Sequence, residues 1–205
     1  MSGQKKPLAV RVDQLRTALK SRDPGQLAAQ TGTKLYQSPA DEQYFTFPYW
    51  GKPVRYSTAD LIARNQDTGE KLSVLDQAMV AYYFHESKGS PPSQGWIAFS
   101  ELPDGQFYSS AFQGYTAGKM ASRLGDSRAE FEKKCRGLAG KPVSFATTAY
   151  RFQVFPKVAV LAVYWQGDED FSSTYQILFQ DTVHLHLPTD GCAILGSMLT
   201  SRLLS

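Results

Sequence analysis

The sequence predicts an α+β fold: a mostly antiparallel C-terminal sheet covered by helices, preceded by an N-terminal helical segment and a β-hairpin. Three observations predict it. Val158–Trp165 is an unbroken apolar run of eight residues, rich in β-branched side chains, as expected of a strand buried on both faces. Residues Tyr44–Tyr56 alternate about a turn at Gly51, which is the pattern of a hairpin. Apolar stripes at helical spacing follow Ser73 and Thr189, so helices flank the sheet-forming segments in sequence.

In chain order, Leu8, Val12, Leu15 and Leu19 recur at helical spacing with basic residues between them, giving an amphipathic helix that ends near Arg22. Asp23-Pro24-Gly25 restarts the chain: Asp23 can cap, Pro24 suits the first helical position, and Gly32 can stop a short helix. The helical segment thus covers about residues 8–31. In the hairpin, Phe45 and Phe47 alternate with Tyr44 and Thr46, and Val54 and Tyr56 return; Pro48 and Pro53 lack ladder donors and predict edge strands. Leu75, Ala78, Met79 and Tyr82 form the stripe of a helix opened by Ser73 and fading at His85-Glu86-Ser87. Lys88–Gln94 reads as a surface loop.

Gly95–Phe99 predicts a short strand, and Asp104-Gly105 a turn that returns into Phe107-Tyr108. A weaker helix is expected over Ala111–Leu124, and Ser127 with Glu130 forms a capping box that opens another over Ser127–Arg136. Val143–Val154 alternates, and Ser173–Phe179 and Val183–Leu187 read as further strands. Thr189 is expected to cap the last helix, with Ile194, Leu195, Met198, Leu199 and Leu203 on its stripe. With no internal repeat, low-complexity tract or composition break, residues 1–205 are expected to form a single globular domain.

Composition narrows the function classes. A 42% hydrophobic, 20% charged chain has enough apolar surface for a core and is not a disordered segment. A net charge of +3 is too small for a protein that neutralises many phosphates, so no nucleic-acid partner is expected. The excess lies in the first hundred residues, chiefly on Lys5, Lys6, Arg11, Arg16, Lys20 and Arg22. That face either docks on an acidic partner or membrane surface, or is a solvated helix face. Met1–Val10 contains no apolar stretch of signal-peptide length, and no run approaches the about 20 residues of a membrane span, so a soluble, cytoplasmic protein is expected. Cys135 and Cys192 lie far apart in different predicted helices and outside any metal spacing; they read as buried, inert thiols.

The sharpest chemical feature is His184-Leu185-His186. On a strand, residues i and i+2 share a face, so the two imidazoles stand about 7 Å apart and suit one metal or a haem iron. Asp181 shares that face by parity, and His85 is another candidate third ligand. With no other metal-spaced cluster in the sequence to support a site, the solvent-facing polar side of a half-buried strand is the preferred explanation of the pair. His85 otherwise suits a helix C-terminus, where the dipole favours a cation. Asp168, Glu169 and Asp170 are candidates for a hard cation or for paired acids, or form an exposed turn. Gly114–Met120 fails as a phosphate loop: its glycines are separated by three residues rather than four, and Met follows Lys119. The aromatics Trp50, Tyr82, Tyr83, Phe84, Trp96 and Trp165 line an apolar ligand pocket or pack the core.

Four stretches carry a family resemblance: Ser73–Phe84 ending in Tyr82-Tyr83-Phe84; Gly95-Trp96-Ile97-Ala98-Phe99-Ser100-Glu101-Leu102-Pro103-Asp104-Gly105 running on to Phe107-Tyr108; Leu138-Ala139-Gly140 followed by Tyr150–Pro156; and Trp165-Gln166-Gly167-Asp168-Glu169-Asp170-Phe171 with Ile177-Leu178-Phe179 and a closing helix. In this order they resemble the prokaryotic domain-of-unknown-function family 3786, over roughly residues 60–205. The resemblance implies no activity. Some members carry a cysteine-rich iron–sulfur segment before the domain; this chain shows none, so an electron-transfer role does not carry over. Members place Asp directly after the Leu-Phe pair, whereas here Gln180 precedes Asp181.

Three readings follow, in this order. The first is a non-catalytic ligand-binding or accessory domain whose partner is a protein or a small apolar ligand, through Trp50, Tyr82, Tyr83, Trp96 and Trp165, with no cofactor expected. The second is a metal-dependent enzyme at His184, His186 and Asp181. The third is a haem- or corrinoid-binding protein using one histidine axially.

Overall fold

A computed structural model describes residues 7–39 and 41–205. The chain divides into two compact units. The first runs up to Pro91 and includes Phe155–Lys157 and Leu185–Pro188; the second holds Pro92–Val154, Val158–His184 and Thr189–Ser205. The α+β class holds, and each unit has its own antiparallel sheet.

In the first unit, α1 (Pro7–Leu19) buries Val12, Leu15 and Leu19, and α2 (Pro24–Thr31) follows. Asp23 caps α2 by accepting the Gln26 N–H at 2.7 Å, and Gly32 ends it in the left-handed region at φ 67°. The sheet runs β1 (Lys34–Gln37), β2 (Gln43–Tyr49), β3 (Lys52–Ser57), β4 (Ala63–Asn65) in that spatial order. The hairpin β2–β3 is therefore central, not at an edge as its prolines suggested. The reason lies in the register. β1 reaches only Thr46 and β4 only Val54, so the facing pair Pro48 and Pro53 projects beyond both outer strands, where no further ladder bond is required. α3 (Val74–Glu86) begins where Ser73 Oγ accepts the Asp76 N–H. It is buried almost all round: Phe84 meets the rings of Phe45 and Tyr56 at 4.8 Å each, and Tyr83 stacks on Phe155 at 4.2 Å.

The basic residues of the N-terminal segment largely turn inward. Arg16 Nε donates to the Leu61 carbonyl at 2.8 Å and Nη2 to Gln77 Oε1 at 2.9 Å. Arg22 donates to the His85 carbonyl at 2.9 Å, satisfying the end of α3, and Arg11 lies over the Tyr82 ring. Arg16 and Arg22 are thus half-buried and engaged within the unit, whereas Arg11 and Lys20 remain exposed, and Lys5 and Lys6 lie outside the described residues.

The second unit comprises β5 (Trp96–Ala98), α4 (Gly105–Tyr115), α5 (Ala117–Leu124), α6 (Arg128–Gly137), β6 (Lys141–Val143), β7 (Thr148–Phe155, to Val154), β8 (Val158–Trp165), β9 (Thr174–Gln180) and α7 (Thr189–Leu204). Its sheet order is β5-β9-β8-β7-β6, so the apolar run β8 is the middle strand, as its composition predicts. Phe107 and Tyr108 do not form a strand; they sit in the first turns of α4, 84% and 66% exposed. Gly105 opens that helix because a Cβ there would lie 2.0 Å from the Phe99 carbonyl oxygen. The helix expected over Ala111–Leu124 is two helices, broken at Thr116, whose hydroxyl returns to the Phe112 carbonyl. Thr189 lies inside α7 and donates to the Pro103 carbonyl instead of capping. Val183–Leu185 is a 3₁₀ turn, not a strand; Val183 is buried and His184 exposed, and Pro188, which lacks a ladder donor, follows shortly after.

Strand parity separates the two faces of this sheet. Val160, Ala162, Tyr164, Tyr175, Ile177 and Phe179 share one face, where Phe99, Phe112 and Phe131 meet them ring on ring. Ala149, Leu161, Val163 and Leu178 form a buried cluster on the other, and Trp96, Ala98, Val143 and Phe145 pack against it.

Candidate functional site

That second face carries a groove of about 560 Å³. The register places Trp96 opposite Gln180 at the β5 edge and Val143 opposite Ala149 at the β6 edge, so both rise from the same side of the sheet. Trp96, Val143 and Phe145 are half-buried walls; Pro92, Ser93 and Gln94 of the Pro-rich loop form the rim. The loop is tied down by two bonds: the Ser93 hydroxyl donates to the Asp181 carboxylate, and Gln180 Nε2 donates to the Ser93 carbonyl at 2.7 Å. Gly95 permits the Asp181 contact, because a Cβ there would lie 2.2 Å from Asp181 Oδ2. Arg151, opposite Lys141 in the β6–β7 register, is the one charged lining residue, and its Nη2 donates to Gln153 Oε1 at 2.7 Å.

Of the aromatics singled out in the sequence, two reach this face. Trp96 lines the groove. Trp165, 43% exposed, shares the face by parity and meets Phe145 edge-on at 6.3 Å. Trp50, Tyr82 and Tyr83 belong to the first unit. Trp50 is half-buried beside Tyr49; Tyr82 and Tyr83 are buried, and Tyr83 donates its hydroxyl proton to the Thr31 carbonyl at 2.5 Å while accepting the Lys157 N–H. Phe84 is core. Val143, Phe145 and Arg151 were not singled out, although the alternation of Val143–Val154 holds the signal: residues 149, 151 and 153 share a strand face with the groove.

The histidines do not share a strand face, since residues 183–185 form a 3₁₀ turn. His184 is exposed with Nδ1 at 2.9 Å from the Asp181 carbonyl, and His186 is fully buried with Nδ1 at 3.3 Å from Ser87 Oγ. The Asp181 carboxylate is engaged by Ser93. His85 pairs with Glu86 at 2.8 Å. Among the described residues, no group of three or more His, Cys, Asp or Glu is placed to hold a metal ion. The acidic loop is internally bonded: Asp168 Oδ1 accepts the N–H groups of Asp170 and Phe171, and Asp126 Oδ1 accepts the Ser173 N–H at 2.7 Å, which draws the Asp126 carboxyl below its ordinary range. Tyr175 on the helix-covered face is pushed up to about 12 by burial. Cys135 and Cys192 are fully buried, and burial pushes both thiols up, away from the reactive thiolate.

An α+β protein with two small antiparallel sheets, one presenting an aromatic-walled groove, is the class these features define. The model of the family described as domain of unknown function DUF3786 matches residues 23–202, and the chain belongs to that family. No curated protein and no solved structure matches it. No helix among the described residues is long and apolar enough to cross a membrane.

Proposed function

We propose that this protein is a non-catalytic binding domain and that the groove over β5, β6 and β7 takes a small apolar ligand. The observation that carries this reading is the composition of the groove. Its walls Trp96, Val143 and Phe145 pack against the buried cluster Ala149, Leu161, Val163 and Leu178, and its volume of about 560 Å³ falls in the range of small-molecule sites. The lining contains no imidazole and no thiol to activate either of its hydroxyls, Ser93 and Ser144, and Ser93 is bonded to Asp181, which supports binding over chemistry.

Isothermal titration with octanol tests the reading. Saturable binding is expected in the parent protein. Replacing Trp96 and Phe145 together by Ala is expected to remove the binding with the helical circular dichroism retained. Binding unchanged in that double variant would place the ligand elsewhere and overturn the assignment.

A further inference from the structure

We infer that the ligand of this groove is an amphipathic carboxylate, its acidic head held by Arg151 and its apolar body by Trp96 and Phe145. The inference rests on the groove being the binding site. Apart from Arg151 the lining is uncharged: Pro92, Trp96, Val143 and Phe145 are apolar, and Ser93, Gln94 and Ser144 are neutral. On a strand in the sheet interior, with its neighbour Lys141 across the ladder, Arg151 sits on a rigid element. Gln153 orients it from two residues away on the same face: Gln153 Oε1 accepts from Nη2, and Gln153 Nε2 donates to the Val158 carbonyl at 3.2 Å. This arrangement aims the guanidinium without neutralising it.

The other strand arginines are treated differently. Arg55 on β3 pairs with Glu42 at 2.5 Å, and Arg64 on β4 with Asp60 at 2.6 Å. Among the described residues Arg151 forms no ion pair, and its donors other than that Nη2 bond have no protein acceptor. A half-buried cation with unused donors beside apolar walls favours an anion that brings its own hydrocarbon. A planar guanidinium fork matches one carboxylate, and the charge-assisted bonds that result exceed those to a neutral hydroxyl.

Titration calorimetry with octanoate, octanol and octylammonium, which share one chain and differ in the head, decides the matter. Octanoate is expected to bind about tenfold or more tightly than octanol, the effect of one charge-assisted hydrogen bond, with octylammonium weakest. Arg151→Gln is expected to bring octanoate down to the affinity of octanol and to leave octanol unchanged. Arg151→Lys, which keeps the charge and loses the fork, is expected to retain part of the preference and serves if the glutamine variant does not fold. Equal affinities for octanoate and octanol in the parent protein, or an octanoate affinity unmoved by Arg151→Gln, would overturn the carboxylate assignment and leave the groove reading intact. Binding of none of the three would overturn both.

Discussion

Arg16 illustrates how a basic residue on an amphipathic helix becomes structural. Its guanidinium satisfies the Leu61 carbonyl and Gln77 Oε1, and the same Gln77 amide accepts from the Ala63 N–H at 2.9 Å and donates to the Ala63 carbonyl at 2.6 Å. One side chain on α1 therefore helps to hold both α3 and the start of β4. Arg16→Glu is expected to lower stability by about 1–3 kcal/mol in urea denaturation, because it leaves buried acceptors unsatisfied and adds a like charge near Asp13. Lys20→Glu, on the exposed side of the same helix, is expected to change stability by less than about 0.5 kcal/mol. Equal effects from both substitutions would mean that the helix face, and not the Gln77 connection, sets the result. In the sequence these two residues are indistinguishable: both are cations between apolar positions, and only the fold reveals which one faces a carbonyl.

At the scale of elements, β8 is the part most dependent on packing. Its middle residue Leu161 is fully buried in the cluster beneath the groove. Leu161→Ala is expected to cost about 2–5 kcal/mol in a denaturation curve, from lost transfer energy and the cavity left behind; a loss below about 1 kcal/mol would show that the sheet closes over the gap. β8 was legible because a strand buried on both faces has to be apolar at every position. The caps of α2 and α3 were legible because Asp23 and Ser73 act on backbone groups within three residues. β1, β4 and β6 escaped notice: at three or four residues they are too short for a period to show, and their strand geometry comes from pairing with a neighbour. The same limit applied to Val183–Leu187, where apolar residues two apart also suit a turn, and to Asp104-Gly105, whose glycine answers a steric demand from Phe99. The groove was half legible. Trp96 drew attention as a large aromatic, whereas Arg151 stands out only because no carboxylate among the described residues pairs with it, which no local pattern encodes.

Across the whole molecule, the chain passes between the two units five times, because Phe155–Lys157 and Leu185–Pro188 belong to the first unit while their flanking residues belong to the second. Phe155 closes β7 and also stacks on Tyr83, and Tyr49 lies 4.9 Å from the same ring. We expect residues 1–205 to behave as one domain in scanning calorimetry, with a single transition whose calorimetric and van't Hoff enthalpies agree. Two resolved transitions would show that each unit melts alone. The placement of Phe155 also bears on the order of events during synthesis. A ribosome delivers the first unit's helices and its four strands long before residue 155, so the nascent chain emerges with the face of Tyr83 and Tyr49 bare. That aromatic surface waits for its partner ring until more than sixty further residues have been translated, so a unit whose strands are made before residue 66 closes only after residue 155.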